Sequence, residues 1–88
     1  MYFVYILRTS SNTLYVGQTN NLEKRLKEHQ SKSDRSAKYI KYFDFVELVY
    51  SEKYPTRKEA MKREYQLKQL SKSEKEAIIN KVWTPQKI

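Results

Sequence analysis

Residues 2–19, YFVYILRTSSNTLYVGQT, constrain the fold of this chain more than any other stretch. Residues 2–8 are rich in β-branched and aromatic types and read as a strand. The run SSN at 10–12 reads as a turn, because Asn12 tolerates the left-handed backbone region. Residues 13–17, TLYVG, read as the returning strand, so the pair is a β-hairpin. If Thr9 lies opposite Thr13 around a three-residue loop, Tyr5 and Tyr15 become diagonal neighbours on one face. A bulge at the turn would change that parity. Gly17, the one glycine of the chain, ends the second strand. It permits close backbone approach to a ligand, or a turn that needs positive φ.

The hairpin leads into NNLEKRLKEHQ, where Asn20 with Glu23 predicts an N-terminal capping box. Leu22 and Leu26 form an apolar i, i+4 pair, Arg25 and His29 a second pair beside it, and the helix is expected to fray near Ser31. Residues 31–44 are basic and aromatic, and fit either a loop or a short helix. The run from Phe45 to Tyr54 reads as a third strand, which Pro55 stops. Thr56 with Glu59 opens a second helix to about Gln69, and Ser71 with Glu74 a third to about Asn80. Residues 81–88 read as an extended tail that Trp83 docks. The predicted order is β-β-α-β-α-α: a small α/β (α+β) domain with a mainly antiparallel three-stranded sheet flanked by helices.

An 88-residue chain fits one domain, residues 1–88, with its core at about 2–80. Such a domain buries only about 60–65% of its unfolded surface, so each buried polar group needs a reason. The absence of cysteine excludes disulfides and thiolate metal sites, leaving oxygen donors or the single His29 for any metal. No apolar run approaches the roughly 20 residues of a membrane span. The opening MYFVYIL lacks a basic leader and a cleavage site, and reads as a buried strand of a cytoplasmic protein. A net charge of +8, with eight tyrosines, three phenylalanines and a tryptophan among the basic residues, points to a polyanionic partner, most often nucleic acid.

Several residues carry chemistry beyond this frame. The apolar stripe of the second helix is Ala60, Met61 and Leu67, and Glu64 falls within it. A carboxylate there costs several kcal/mol unless it is paired or binds a cation. The plain reading is a salt bridge with Lys68 or Arg25. The functional reading is a ligand for Mg²⁺, which keeps most of its water and takes few protein oxygens. Arg25 and His29 read either as a solvated helix face or as a phosphate-binding guanidinium beside a titratable imidazole. Tyr5 and Tyr15 read as core aromatics unless nearby positive charge lowers a phenol's ordinary pKa of about 10.

Together these residues resemble the GIY-YIG nuclease superfamily. Its first motif stands here as VYI at 4–6 and its second as YVG at 15–17, with Val for Ile. Arg25 falls ten after Tyr15, where the family carries its arginine, and His29 four later, where members carry His or Tyr. Glu64, in REYQLK, matches the metal-binding glutamate. The resemblance runs from Tyr2 to about Asn80 and is strongest to the small standalone bacterial (UPF0213-like) subgroup, on AKY at 37–39 and VELVY at 46–50 as well.

What this resemblance implies is one-step, metal-dependent hydrolysis of a nucleic-acid phosphodiester, with DNA as the expected substrate and repair or recombination as the expected setting. Glu64 would hold Mg²⁺ or Mn²⁺, Arg25 would bind the phosphate, and Tyr5 would take a proton from the attacking water. Tyr15 and His29 would orient water or phosphate, or assist the proton transfer. Gly17 and the stretch Lys32, Arg35, Lys38, Tyr39, Lys41 and Tyr42 would contact the nucleic acid. The first motif departs from the family's name at Phe3 and Val4, Gln18 stands where many members carry lysine, and Glu76 where many carry asparagine, the nearest asparagine being Asn80. The alternatives are a nucleic-acid-binding module of the same fold with weak or lost catalysis, and a protein-interaction domain on a nuclease scaffold.

Overall fold

The structure is a computed structural model that describes residues 1–31 and 45–83. The expected nucleic-acid contacts Lys32, Arg35, Lys38, Tyr39, Lys41 and Tyr42, and the docking of a tail by Trp83, lie outside the described residues. Elements follow the order β1 (Tyr2–Thr9), β2 (Leu14–Thr19), α1 (Leu22–Ser31), β3 (Val46–Tyr54), α2 (Arg57–Gln69) and α3 (Lys72–Trp83). The sheet order is β2-β1-β3, with both pairings antiparallel.

The hairpin forms because its turn chemistry is local. The Asn12 amide donates to the Thr9 carbonyl at 2.8 Å, and the Thr9 amide to the Thr13 carbonyl at 2.9 Å. Asn12 takes φ of 64°, the left-handed residue that closes a three-residue hairpin loop. The register then places Tyr5 opposite Gly17 and Leu7 opposite Tyr15. Tyr5 and Tyr15 are diagonal neighbours on one face, as the Thr9–Thr13 pairing requires.

β1 alternates between two buried layers. Val4 and Ile6 pack with Val16, Tyr50, Ala60, Leu67 and Ile79, so α2 and α3 cover that face. Tyr5 and Leu7 pack with Val46, and Tyr15, Leu22, Leu26 and Leu48 close over them, so α1 covers the other face. β3 serves both layers through a register shift between Ile6 and Leu7 that leaves Val49 as the extra residue of a β-bulge. Val46 and Leu48 therefore face α1, whereas Tyr50 and Tyr54 face α2 and α3.

The helix starts follow their caps, with one shift. The Thr56 hydroxyl accepts from the Glu59 amide at 3.2 Å and donates to the Glu59 carboxylate at 3.0 Å. Ser71 and Glu74 exchange the reciprocal pair at 3.1 and 2.9 Å. On α1 the cap is Asn21 rather than the predicted Asn20. Its Oδ1 accepts from the Lys24 amide at 3.1 Å, while the Thr19 hydroxyl accepts from the Asn21 amide at 3.2 Å. α3 runs to Trp83 rather than ending near Asn80, since the sequence offers no glycine or proline stop before Pro85. The α2 stripe is narrower than predicted. Ala60 and Leu67 are fully buried, but Met61, one residue and so about 100° further round, is 48% exposed.

Two polar clusters fasten the helices to the sheet. Glu52 on β3 accepts from Arg63 Nε at 2.9 Å and Nη2 at 3.1 Å, and from the hydroxyls of Tyr50 and Tyr54. Burial raises the Glu52 carboxyl, but Arg63 and the two tyrosines outweigh it and hold the group below its ordinary value. At the other end of the sheet Arg8 makes two 2.7 Å bonds to Glu76 on α3, and Lys72 adds a third at 2.8 Å. Those cations pull the Glu76 carboxyl down to about 2.

Candidate active site

The face of the sheet under α1 holds a polar centre inside an apolar shell. Leu22, Leu26 and His29 fall at i, i+4 and i+7, so the stripe that seats the two leucines also carries the imidazole inward. His29 is 1% exposed, as is Tyr5. Their polar atoms satisfy one another: the Tyr5 hydroxyl lies 3.1 Å from His29 Nε2. Tyr15 stands edge-on to the imidazole with ring centroids 5.7 Å apart, and 6.5 Å from the Tyr5 ring.

Gly17 is explained by this packing. It has no positive φ and lies within β2, so the turn reading does not hold. A Cβ at Gly17 would stand 2.5 Å from the Tyr5 hydroxyl oxygen and 2.7 Å from Tyr5 Cζ. The glycine makes room for the phenol. The close approach it permits is that of a side chain on the neighbouring strand.

Arg25, one turn before His29, is drawn to the same centre. Its Nη1 pairs with Glu28 Oε1 at 3.0 Å, and the guanidinium lies near enough to the Tyr5 phenol for each to shift the other's titration. Burial pulls Arg25 down, but Glu28 and Tyr5 together hold it above its ordinary value. Glu28 was not singled out from the sequence. The signal for it is the i, i+3 spacing to Arg25.

Glu64 comes from α2, which packs on the far face of the sheet and against the outer strand β2. Its carboxylate pairs with Lys68 at 3.2 Å, as the plain sequence reading had it. It does not point into bulk solvent: the side chain is 21% exposed, against 52% for Lys68. Its negative charge also acts on the Tyr5 phenol across β2. The structure thus gathers Tyr5, Tyr15 and His29 under α1, with Arg25 acting on the Tyr5 phenol from that helix, whereas Glu64 stands on the α2 side, where only its charge is felt at Tyr5.

The electrostatics differ from the simple expectation of an acidified phenol. Burial raises Tyr5 to about 12, with Arg25 opposing the rise and Tyr15 and Glu64 adding to it. Burial and then Arg25 lower His29 to about 4, against a smaller upward pull from Glu28. At neutral pH the pair is therefore a phenol and a neutral imidazole, joined by a hydrogen bond whose donor is set by the imidazole tautomer.

Among the described residues no three His, Cys, Asp or Glu side chains gather as a metal cage. The donor set offers a lone carboxylate, partly exposed, whose existing partner is a flexible exposed ammonium. That suits a hydrated hard cation completed by substrate oxygens.

The chain matches the GIY-YIG catalytic domain over residues 1–77. It belongs to the GIY-YIG family, a nuclease family. Within it the chain is similar to UPF0213 proteins. It is 40% identical to UPF0213 protein YazA of Bacillus subtilis over 78 residues, 89% of this chain and 77% of that one. It is 42% identical to a UPF0213 protein of Clostridium perfringens over 80 residues, 91% of this chain and 84% of that one. The solution NMR structure of a UPF0213 protein from Bacillus halodurans superposes with a TM-score of 0.62 at 34% identity, covering 97% of this chain and 89% of the other. That likeness agrees with the α+β fold of three antiparallel strands and three helices. No described helix is long and apolar enough to cross a membrane.

Proposed function

We propose that the protein is a metal-dependent endonuclease that hydrolyses nucleic-acid phosphodiesters, with DNA as the expected substrate and repair or recombination as its setting. The observation that supports this reading is the buried cluster of Tyr5, Tyr15 and His29 beside Arg25, and the half-buried Glu64 carboxylate across the sheet, whose charge is felt at the Tyr5 phenol, is the assigned metal ligand. Glu64 would hold the divalent ion, Mg²⁺ or Mn²⁺, which would supply polarisation of a phosphate oxygen and charge stabilisation for the leaving oxygen. Arg25 offers its guanidinium to the phosphate and to the charge that builds in the transition state.

Tyr5 cannot act as a preformed phenolate. With its pKa pushed up to about 12, roughly one phenol in 10⁵ is ionised at pH 7. The 3.1 Å bond to His29 supplies the alternative. The Tyr5 oxygen accepts a proton from the attacking water as its own proton passes to the neutral His29 Nε2. The hydroxide so formed adds to phosphorus as the bond to the leaving oxygen breaks. His29 is then the terminal acceptor, and Tyr15 borders the imidazole edge-on and limits its rotation. The basic and aromatic residues of the stretch 32–42 would grip the backbone.

A binding module with feeble catalysis is the second reading. Gln18 stands where many relatives place a lysine, and Glu76, at the asparagine position, is fully engaged by Arg8 and Lys72. Incubating the protein with branched, single-stranded and duplex DNA, in Mg²⁺, Mn²⁺ or EDTA, separates the two. The nuclease reading expects metal-dependent product from wild type, and none from Glu64→Ala despite retained binding. Salt-sensitive binding with no cut product under any metal overturns it in favour of the module.

A further inference from the structure

At a site meant to grip a phosphodiester, Glu28 is out of place. The chain carries +8, yet it sets a carboxylate only 17% exposed at 3.0 Å from Arg25, the guanidinium whose charge acts on the Tyr5 phenol. A negative charge there repels the incoming phosphate. A pair that served only to support the helix could be made on the solvated face, where Glu23, Lys24 and Lys27 are exposed.

The geometry gives Glu28 a different task. Arg25 has a long side chain with many rotamers, and its planar fork is useful only when aimed. Glu28 holds Nη1 from within the same helix, while the Tyr5 phenol lies on the sheet within reach of the guanidinium's charge. We propose that Glu28 is a positioning residue for the hydrolytic reaction, clamping one end of the Arg25 fork so that the guanidinium stays beside the Tyr5 hydroxyl instead of swinging into solvent. The proposal rests on the nuclease reading. Substrate affinity is given up to repulsion, and a fixed cation is gained where the transition state needs it. It follows that the hydrogen-bond acceptor at position 28 matters for turnover, whereas its charge acts only against binding.

Glu28→Gln and Glu28→Ala separate these effects. Gln keeps an acceptor of the same length without the charge, so kcat should stay within about threefold of wild type while KM falls. Ala frees the fork, so kcat should drop about tenfold to a hundredfold, the scale of a misplacement near 1 Å, with KM unchanged or lower. If Ala retains wild-type kcat, Glu28 is only a helix ion pair and the proposal is overturned. If Gln and Ala lose kcat alike, the charge rather than the clamp matters, and it is overturned as well.

An activity-free measurement keeps the clamp separable from the nuclease reading. Nitrogen NMR of the Arg25 side chain, in protein without metal or nucleic acid, reports rotation about Nε–Cζ. Hindered rotation is expected in wild type and Glu28→Gln, and fast averaging in Glu28→Ala. Fast averaging in wild type would sink the clamp even if the protein cleaves DNA. Hindered rotation in a protein that cleaves nothing would sink the nuclease reading, and with it the catalytic role of Glu28.

Discussion

Val4 and Ile6 on one side of β1, and Tyr5 and Leu7 on the other, are equally buried, yet they lie in unlike surroundings. The first pair meets the apolar side chains of α2 and α3. The second meets Tyr15 and, through Tyr5, a buried imidazole and a guanidinium. The lesson is that burial alone does not say what a residue is for. For Val4 and Ile6, burial is the whole contribution, about 25 cal/mol per Å² of apolar surface. On the α1 side, burial sets the protonation of Tyr5 and His29, and each makes up for the other's lost water.

The largest effect is expected from Tyr5→Phe. The ring is kept and the hydroxyl lost, so cleavage should fall about 10²–10⁴-fold, the usual span of a proton-transfer group, while the fold persists. Gel assays paired with urea melts check both halves. A variant that cleaves normally would erase the chemical distinction between the faces.

Leu67→Ala tests the opposite side. At 0% exposure, its truncation should cost about 2–5 kcal/mol by chemical denaturation, with turnover per folded molecule unchanged. Lost turnover in the folded fraction would mean that the two layers are mechanically coupled.

Gly17→Ala sharpens the contrast from within the site. The new methyl lies inside the Tyr5 hydroxyl and Cζ, so a loss of about 1–3 kcal/mol is expected, together with weaker cleavage. Combining it with Tyr5→Leu should cost less than the sum of the two single changes.

The most gradual effect, spread over more than two pH units, is a pH dependence. His29 titrates at about 4 in the fold against about 6.5 unfolded, so below pH 6.5 the unfolded chain binds the extra proton. Stability should therefore fall as the pH drops from about 6.5 to about 4, by at most about 1.4 kcal/mol per unit. The salt-bridged Glu76, lowered to about 2, adds its own loss only from about 4.5 downward. His29→Asn should flatten the upper window alone in melts at pH 7, 5.5 and 4.5. An unchanged slope would mean that the imidazole is not held neutral by burial.

What the sequence disclosed was mostly local. The three-residue loop with Asn12 fixed the hairpin parity, and with it the meeting of Tyr5 and Tyr15. Thr56 and Ser71 marked their helices, because a cap and its partner lie three residues apart. What stayed hidden depends on other elements. The bulge at Val49 follows from the register against β1, which no property of β3 alone reveals. The rise of Tyr5 and fall of His29 follow from burial by side chains remote in sequence. Gly17 looked like a backbone device because its constraint, the Tyr5 ring, stands on another strand. The Leu22, Leu26, His29 spacing did carry the inward aim of the imidazole, and Glu28 could be seen only once Arg25 had a direction.

Four of the five candidate side chains belong to a continuous run of 25 residues, Tyr5 to His29, and the fifth stands on α2. An oligonucleotide that engaged both Arg25 and a cation held by Glu64 would therefore tie α1 to α2. Its binding energy would be shared with the tertiary structure, raising the melting temperature with ligand concentration. Metal and oligonucleotide added together should protect the backbone amides of α2 from hydrogen exchange more than either does alone.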